Sequence, residues 1–153
     1  MLQYLFKQTP INRADFEDMI HAIKNSESFL IINTLPIGEQ QVLIKGTIPY
    51  TEEETIINKY ITNYTMDTIS IIVYGKNAND ESAEKKYRQI QSLGFRDVFL
   101  YGGGLFEWIL LQDIFGEVNF PTIGGKVENL LKYKAPSMIS KIVYRKTPMI
   151  PWK

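Results

Sequence analysis

The chain has 153 residues, 44% of them hydrophobic and 22% charged, the make-up of one globular domain able to bury a core without disulfides or structural metals. Lys+Arg and Asp+Glu both number 17, and the resulting zero net charge argues against a general nucleic-acid or membrane-surface binder. There is no cysteine, which removes disulfides, thiolate metal sites and every cysteine-based mechanism.

Residues 2–7 alternate in the manner of a short strand. Pro10 and Asn12 mark a turn and a helix N-cap, after which Phe16, Met19, Ile20 and Ile23 recur at helical spacing. Asp15, Glu17 and Asp18 fall in the early turns of that helix, where the backbone dipole favours acids. Asn25 and Ser26 end it. The apolar run 29–32 predicts a buried strand ending at Asn33-Thr34. Pro36 and Gly38 place 35–41 in a loop, followed by a strand-like piece, Val42-Leu43-Ile44, and then by Gly46 and Pro49. Thr51-Glu52-Glu53-Glu54 has the form of a capping box, with Glu54 at N3 reaching back to the Thr51 amide. Ile56, Ile57, Tyr60 and Ile61 supply the buried stripe of the helix it opens.

Residues 69–74 are apolar and β-branched apart from Ser70, as suits a parallel strand covered on both faces. The polar loop that follows stands at the carboxyl end of this strand, where open α/β sheets place ligands and chemistry. Asp80 or Ser82 caps the next helix, whose inner face is Ala83, Tyr87 and Ile90, and Gly94 is placed to end it in the left-handed conformation. A strand over 98–101 leads through Gly102-Gly103-Gly104 into an apolar helix over 105–115, closed by Gly116. Residues 126–133 read as one more short helix, 138–144 as a strand or packing segment, and Pro148 and Pro151 as an extended end. Strands alternating with helices at this spacing imply a mostly parallel sheet of about five strands with helices on both faces, in a single domain over 1–153.

Five segments, in this order, resemble a rhodanese-homology domain. Residues 11–34 (INRADFEDMIHAIKNSESFLIINT) are similar to the family's first helix and the strand after it. Residues 44–49 (IKGTIP) are similar to its Gly…Ile-Pro turn. Residues 71–74 with the loop after them are similar to the strand and active-site loop. Leu93-Gly94-Phe95 with 97–100 (DVFL), and then 103–108 (GGLFEW), complete the series. The resemblance covers roughly 11–110 and leaves 111–153 as a C-terminal extension.

What the resemblance implies for chemistry is a loss. Family sulfurtransferases carry a persulfide on a Cys directly after the central strand, and here that position is Gly75. Related phosphatases of the fold use the same Cys with a loop ending in Arg. Here Lys76-Asn77-Ala78-Asn79-Asp80-Glu81-Ser82 has no Arg, and it sets Asp80 and Glu81 where an anion site wants positive charge. Asn33 and Leu35 replace the first-strand Asp and Arg of the family. The expectation is therefore a catalytically inactive rhodanese-like domain acting as a protein-interaction or regulatory module. Its candidate ligand or docking loop is Gly75, Lys76, Asn77, Ala78, Asn79, Asp80, Glu81 and Ser82.

The bland reading of that loop is a solvated connection whose acids serve a helix N-terminus. Ser82 has no base beside it, and His21 lies far away in sequence. The glycine triplet lacks the Lys-Ser/Thr of a P-loop and is read as a tight, closely packed turn, with Trp108 in the core. The alternatives are a small-ligand or enzymatic protein that reuses the loop without Cys, and a structural component of a larger assembly. No cofactor, metal or nucleic acid is expected, and no membrane either, because no apolar run approaches a membrane span and 1–6 is too short for a signal peptide. An unidentified protein partner and a cytoplasmic location are expected. Richness in Ile, Lys, Asn and Tyr suits AT-rich coding, as in some protists and large DNA viruses, and makes a virion the second setting.

Overall fold

The computed structural model describes residues 9–139. The strand expected over 2–7 and the extended end at Pro148 and Pro151 lie outside the described residues, as does most of the segment expected over 138–144. In chain order the elements are β1 (Arg13–Ala14), α1 (Phe16–Lys24), β2 (Phe29–Asn33), β3 (Val42–Ile44), α2 (Tyr50–Thr62), β4 (Ser70–Tyr74), α3 (Glu81–Ser92), β5 (Asp97–Tyr101), α4 (Gly104–Phe115) and β6 (Thr122–Gly124). Short 3-10 turns occupy Ile37–Glu39 and Leu130–Tyr133.

The main sheet runs β1-β5-β4-β2 and all its pairings are parallel, so the mostly parallel α/β architecture holds. β4 lies between β2 and β5, with Ile71 opposite both Leu30 and Val98. Its unbroken apolar run follows from burial on both faces. Ile72 and Tyr74 join a core with Met19, Ala22, Leu105 and Trp108, from α1 and α4. Ile71 and Val73 join another with Ile57, Ala83, Tyr87 and Ile90, from α2 and α3. β3 pairs antiparallel with β6, not with the main sheet. The turn after it is tied to β2 through an Ile31–Thr47 bridge and an Ile48 N–H donated to the Ile31 carbonyl at 2.9 Å.

Three local expectations need correction. The N-cap of α1 is Asp15 rather than Asn12: Asp15 Oδ1 accepts from the Asp18 amide at 3.0 Å, and Asp18 Oδ2 accepts from the Asp15 amide at 2.9 Å. An acid at N3 can serve the reciprocal box as Glu does. Asn12 is spent elsewhere, its amide donating to the Tyr87 hydroxyl at 3.1 Å. The Thr51–Glu54 box does not form. Pro49, with φ of −57°, starts α2 at Tyr50 and leaves Thr51 already inside the first turn, without a side-chain cap. Within 126–133 only Leu130–Tyr133 turns, in 3-10 form, with the Asn129 side chain accepting from the Leu131 amide.

The extension covers one side of α4. Trp108 is fully buried, its Nε1–H donates to the Pro121 carbonyl at 3.1 Å, and its ring meets Phe120 edge-on at 5.1 Å. Gln112 Nε2–H donates to the Phe120 carbonyl at 2.8 Å. Ile114 and Phe115 remain exposed. No helix of the described residues is long and apolar enough to cross a membrane.

Candidate functional site

The loop at the end of β4 is held by its own polar groups. β4 ends at Tyr74, whose buried hydroxyl accepts from the Ile44 amide at 3.1 Å and lies 2.7 Å from Thr47 Oγ1. Burial pushes that phenol pKa well up, despite the Thr47 and Ile44 hydrogen bonds. The Gly75 and Lys76 carbonyls then accept from the Leu105 and Phe106 amides, each at 2.9 Å. The loop backbone thus caps the open N-terminus of α4.

This contact requires glycine at 104. Its φ is +69°, and a Cβ there meets the Asn77 nitrogen and the Gly75 oxygen at 2.8 Å each. The sequence reading of the triplet as a tight, close-packed turn holds at this position.

Asp80 is the centre of the loop. Its side chain caps α3, with Oδ1 accepting from the Ser82 amide at 3.0 Å. Its other oxygen, Oδ2, accepts from the Lys76 amide at 2.8 Å. The Ser82 hydroxyl lies 2.5 Å from Asp80 Oδ1 and 2.8 Å from Thr34 Oγ1. One carboxylate therefore sits across the loop, from its first amide to the first turn of the following helix. It also stands over Gly75, where a Cβ meets Asp80 Oδ2 at 2.5 Å and Ala83 Cβ at 3.0 Å.

The rest of the loop is anchored outward. Asn77 Nδ2–H donates to the Tyr133 carbonyl at 3.0 Å, while its Oδ1 accepts from the Asn79 amide at 3.0 Å. Lys76 Nζ pairs with Glu39 at 3.0 Å and stands 6.0 Å from the centre of the Tyr133 ring. Ala78, Asn79 and Glu81 face solvent. The recess beside them is lined by three acids, Asp80, Glu81 and Glu84, which oppose a second anion. His21 is exposed, edge-on to Phe29 at 5.5 Å, and has no part in the loop.

No protein-family model matches the chain, and no curated protein does. Solved structures do match. A Bacillus halodurans protein aligns with a TM-score of 0.56 and 21% identity over 86% of this chain and 89% of its own. An Anabaena sp. protein aligns at 0.51 and 22% identity over 79% of this chain and 100% of its own. A yeast protein tyrosine phosphatase of the rhodanese family aligns at 0.55 and 11% identity over 78% of this chain and 96% of its own.

The chain has a rhodanese-like fold and lacks the catalytic cysteine. At these identities the fold is what is shared. Within the rhodanese frame Gly75 directly follows the central strand, and the chain offers no thiolate to stand there. Two amides at this loop, those of Lys76 and Ser82, donate to Asp80.

Sequence reasoning placed Asp80 at the helix cap and missed its reach back to Lys76. The Gly75-x4-Asp80 spacing is the signal, since a short acid five residues past a glycine can fold back over it. Also unforeseen is a cluster at the carboxyl ends of β1 and β5. The Tyr101 hydroxyl is buried with no aligned hydrogen bond among the described residues. Burial pushes its pKa up first, and the neighbouring Glu107 carboxylate adds to this as a nearby charge. Glu107, in the first turn of α4, is itself raised by desolvation, with the Tyr101 hydroxyl opposing and Asp15 adding to the rise.

Proposed function

We propose that this rhodanese-fold chain performs no sulfur or phosphoryl transfer and works as an interaction module for a protein partner. The observation that carries the reading is the position of Asp80. Its carboxylate takes the Lys76 and Ser82 amides and stands over Gly75, so these two amides are already satisfied and the loop carries a negative charge at its centre. A loop of this kind disfavours an anionic substrate. Without a thiolate, neither a persulfide nor a cysteinyl phosphate can form on this chain. The exposed part, Ala78, Asn79 and Glu81, is then a docking face. The zero net charge favours protein over nucleic acid as the partner.

The short contact between Ser82 Oγ and Asp80 Oδ1 favours one second reading, a hydroxyl-based enzyme that reuses the loop. Three measurements separate the two. The interaction reading expects background rates with thiosulfate and cyanide and with phosphomonoesters, no labelling of Ser82 by a fluorophosphonate, and a stoichiometric partner on affinity capture of the full chain from its native cell. Turnover or labelling that disappears in Ser82→Ala overturns it in favour of the enzyme.

A further inference from the structure

We infer that the cleft between α2 and α3 binds an extended, uncharged, apolar segment of the partner protein through a main-chain carbonyl taken by Asn33. The inference rests on the interaction reading and adds to the exposed loop a second contact, whose place and chemistry it names. The cleft has a volume of about 680 Å³ and opens at the carboxyl end of β2, next to Ser82.

Its walls are two helix stripes. Tyr50, Glu53 and Ile57 lie on α2, Lys86 and Ile90 lie on α3, and Leu93 is the C-cap that follows α3. Three large apolar side chains on its border are exposed: Ile37 at 64%, Tyr50 at 49% and Leu93 at 44%. The charges lining it cancel. Glu53 and Glu54 face Lys85 and Lys86, and the Lys86–Glu53 pair closes at 2.5 Å. A charged occupant meets as much repulsion as attraction, so a neutral one fits best.

Asn33 decides between a helix and an extended chain. It is 4% exposed, belongs to the cleft lining, and its Nδ2 has no hydrogen-bond partner among the described residues. The Leu35 amide donates to its Oδ1 at 3.1 Å, which fixes which end of the side chain is the nitrogen. A buried donor without a partner costs on the order of 1–3 kcal/mol, and because Nδ2 itself has almost no exposed surface, the segment's carbonyl recovers that cost by displacing the side chains that cover it. A helix has already used its main-chain carbonyls internally, whereas an extended segment offers one at every residue. The α3 wall from Ser82 to Leu93 is roughly 16 Å long at ~1.5 Å per residue, which accommodates about five extended residues at ~3.3 Å each.

The test selects a random dodecapeptide phage library on the full chain and maps the enriched peptides by amide NMR. Enriched peptides are expected to be apolar and neutral at their centre, to bind extended, and to shift the signals of Thr34, Ser82 and Lys86. Asn33→Asp keeps the acceptor for Leu35 but replaces the donor, and weakens binding about tenfold. Tyr50→Ser and Leu93→Ser, on the exposed border, keep the assignment testable if Asn33→Asp folds poorly, and each weakens binding several-fold. Ile114→Ser, on α4, leaves binding unchanged.

No enrichment, mapping to another face, helical bound peptides, or full affinity in all three cleft variants overturns the inference. A native partner that still binds all three variants keeps the interaction reading and removes the cleft from it. A cleft that binds peptides while the full chain captures no partner removes the interaction reading instead.

Discussion

At the scale of the residue, Asp80 and Glu107 show the same side chain chemistry in opposite settings. Asp80 accepts from two backbone amides at a helix start, where a carboxylate is favoured. Asp80→Ala should lower stability by about 1–2 kcal/mol, a Tm drop of roughly 2–4 °C for each kcal/mol, measured by thermal unfolding. Asp80→Asn should lose less, since its amide oxygen still accepts one bond. Glu107 is partly desolvated, and its folded pKa lies above the usual carboxylate value. Its contribution to stability is therefore present below the unfolded value and lost as pH rises through the folded one. Glu107→Gln should flatten the fall in denaturation midpoint between acid and neutral pH and leave the variant at least as stable at neutrality. A steeper fall in the variant contradicts this account of the Tyr101–Glu107–Asp15 cluster.

At the scale of the element, the turn into α4 is the strictest point in the chain. Gly104 combines a left-handed φ with main-chain atoms too near for a Cβ. Gly104→Ala should cost upward of about 2 kcal/mol in urea unfolding. Gly102→Ala should cost far less, because its added methyl meets only the mobile end of Arg13. Helices and strands with strong periodicity were legible in the sequence: β4 from its apolar run, α3 from Ala83, Tyr87 and Ile90, and Gly94 as its left-handed stop at φ +107°. Caps were less so. Thr51 and Glu54 carry the letters of a capping box, but Pro49 moves the helix start ahead of them. Short range pattern cannot tell which of two adjacent start signals wins, because the outcome depends on where the preceding segment is pinned.

At the scale of the whole molecule, the order of motifs was enough to reach the rhodanese-like fold, since the main strands and helices agreed with it even where their caps did not. The partnership of β3 with β6 was not legible. It joins Val42–Ile44 to Thr122–Gly124 across most of the chain, and β6 is too short to announce itself. The Asp80 staple and the α2–α3 cleft were hidden for a related reason, because both are made by residues from different elements meeting in space. Asn33 was noted as the end of a strand and as a departure from a family pattern, and its amide donor without a partner among the described residues is a property of the packed structure. The rhodanese-like frame is present, and the Lys76 and Ser82 amides after β4 are closed off by the Asp80 carboxylate.

That closure is tested most directly by titrating the ¹⁵N-labelled chain with thiosulfate and following the Lys76 and Ser82 amide signals. The wild-type chain should show no saturable shift at either amide, while Asp80→Asn, which removes the resident charge, should gain one. Saturable binding of thiosulfate to both amides in the wild-type chain would contradict the account, because it requires Asp80 to leave the place on which the reading depends.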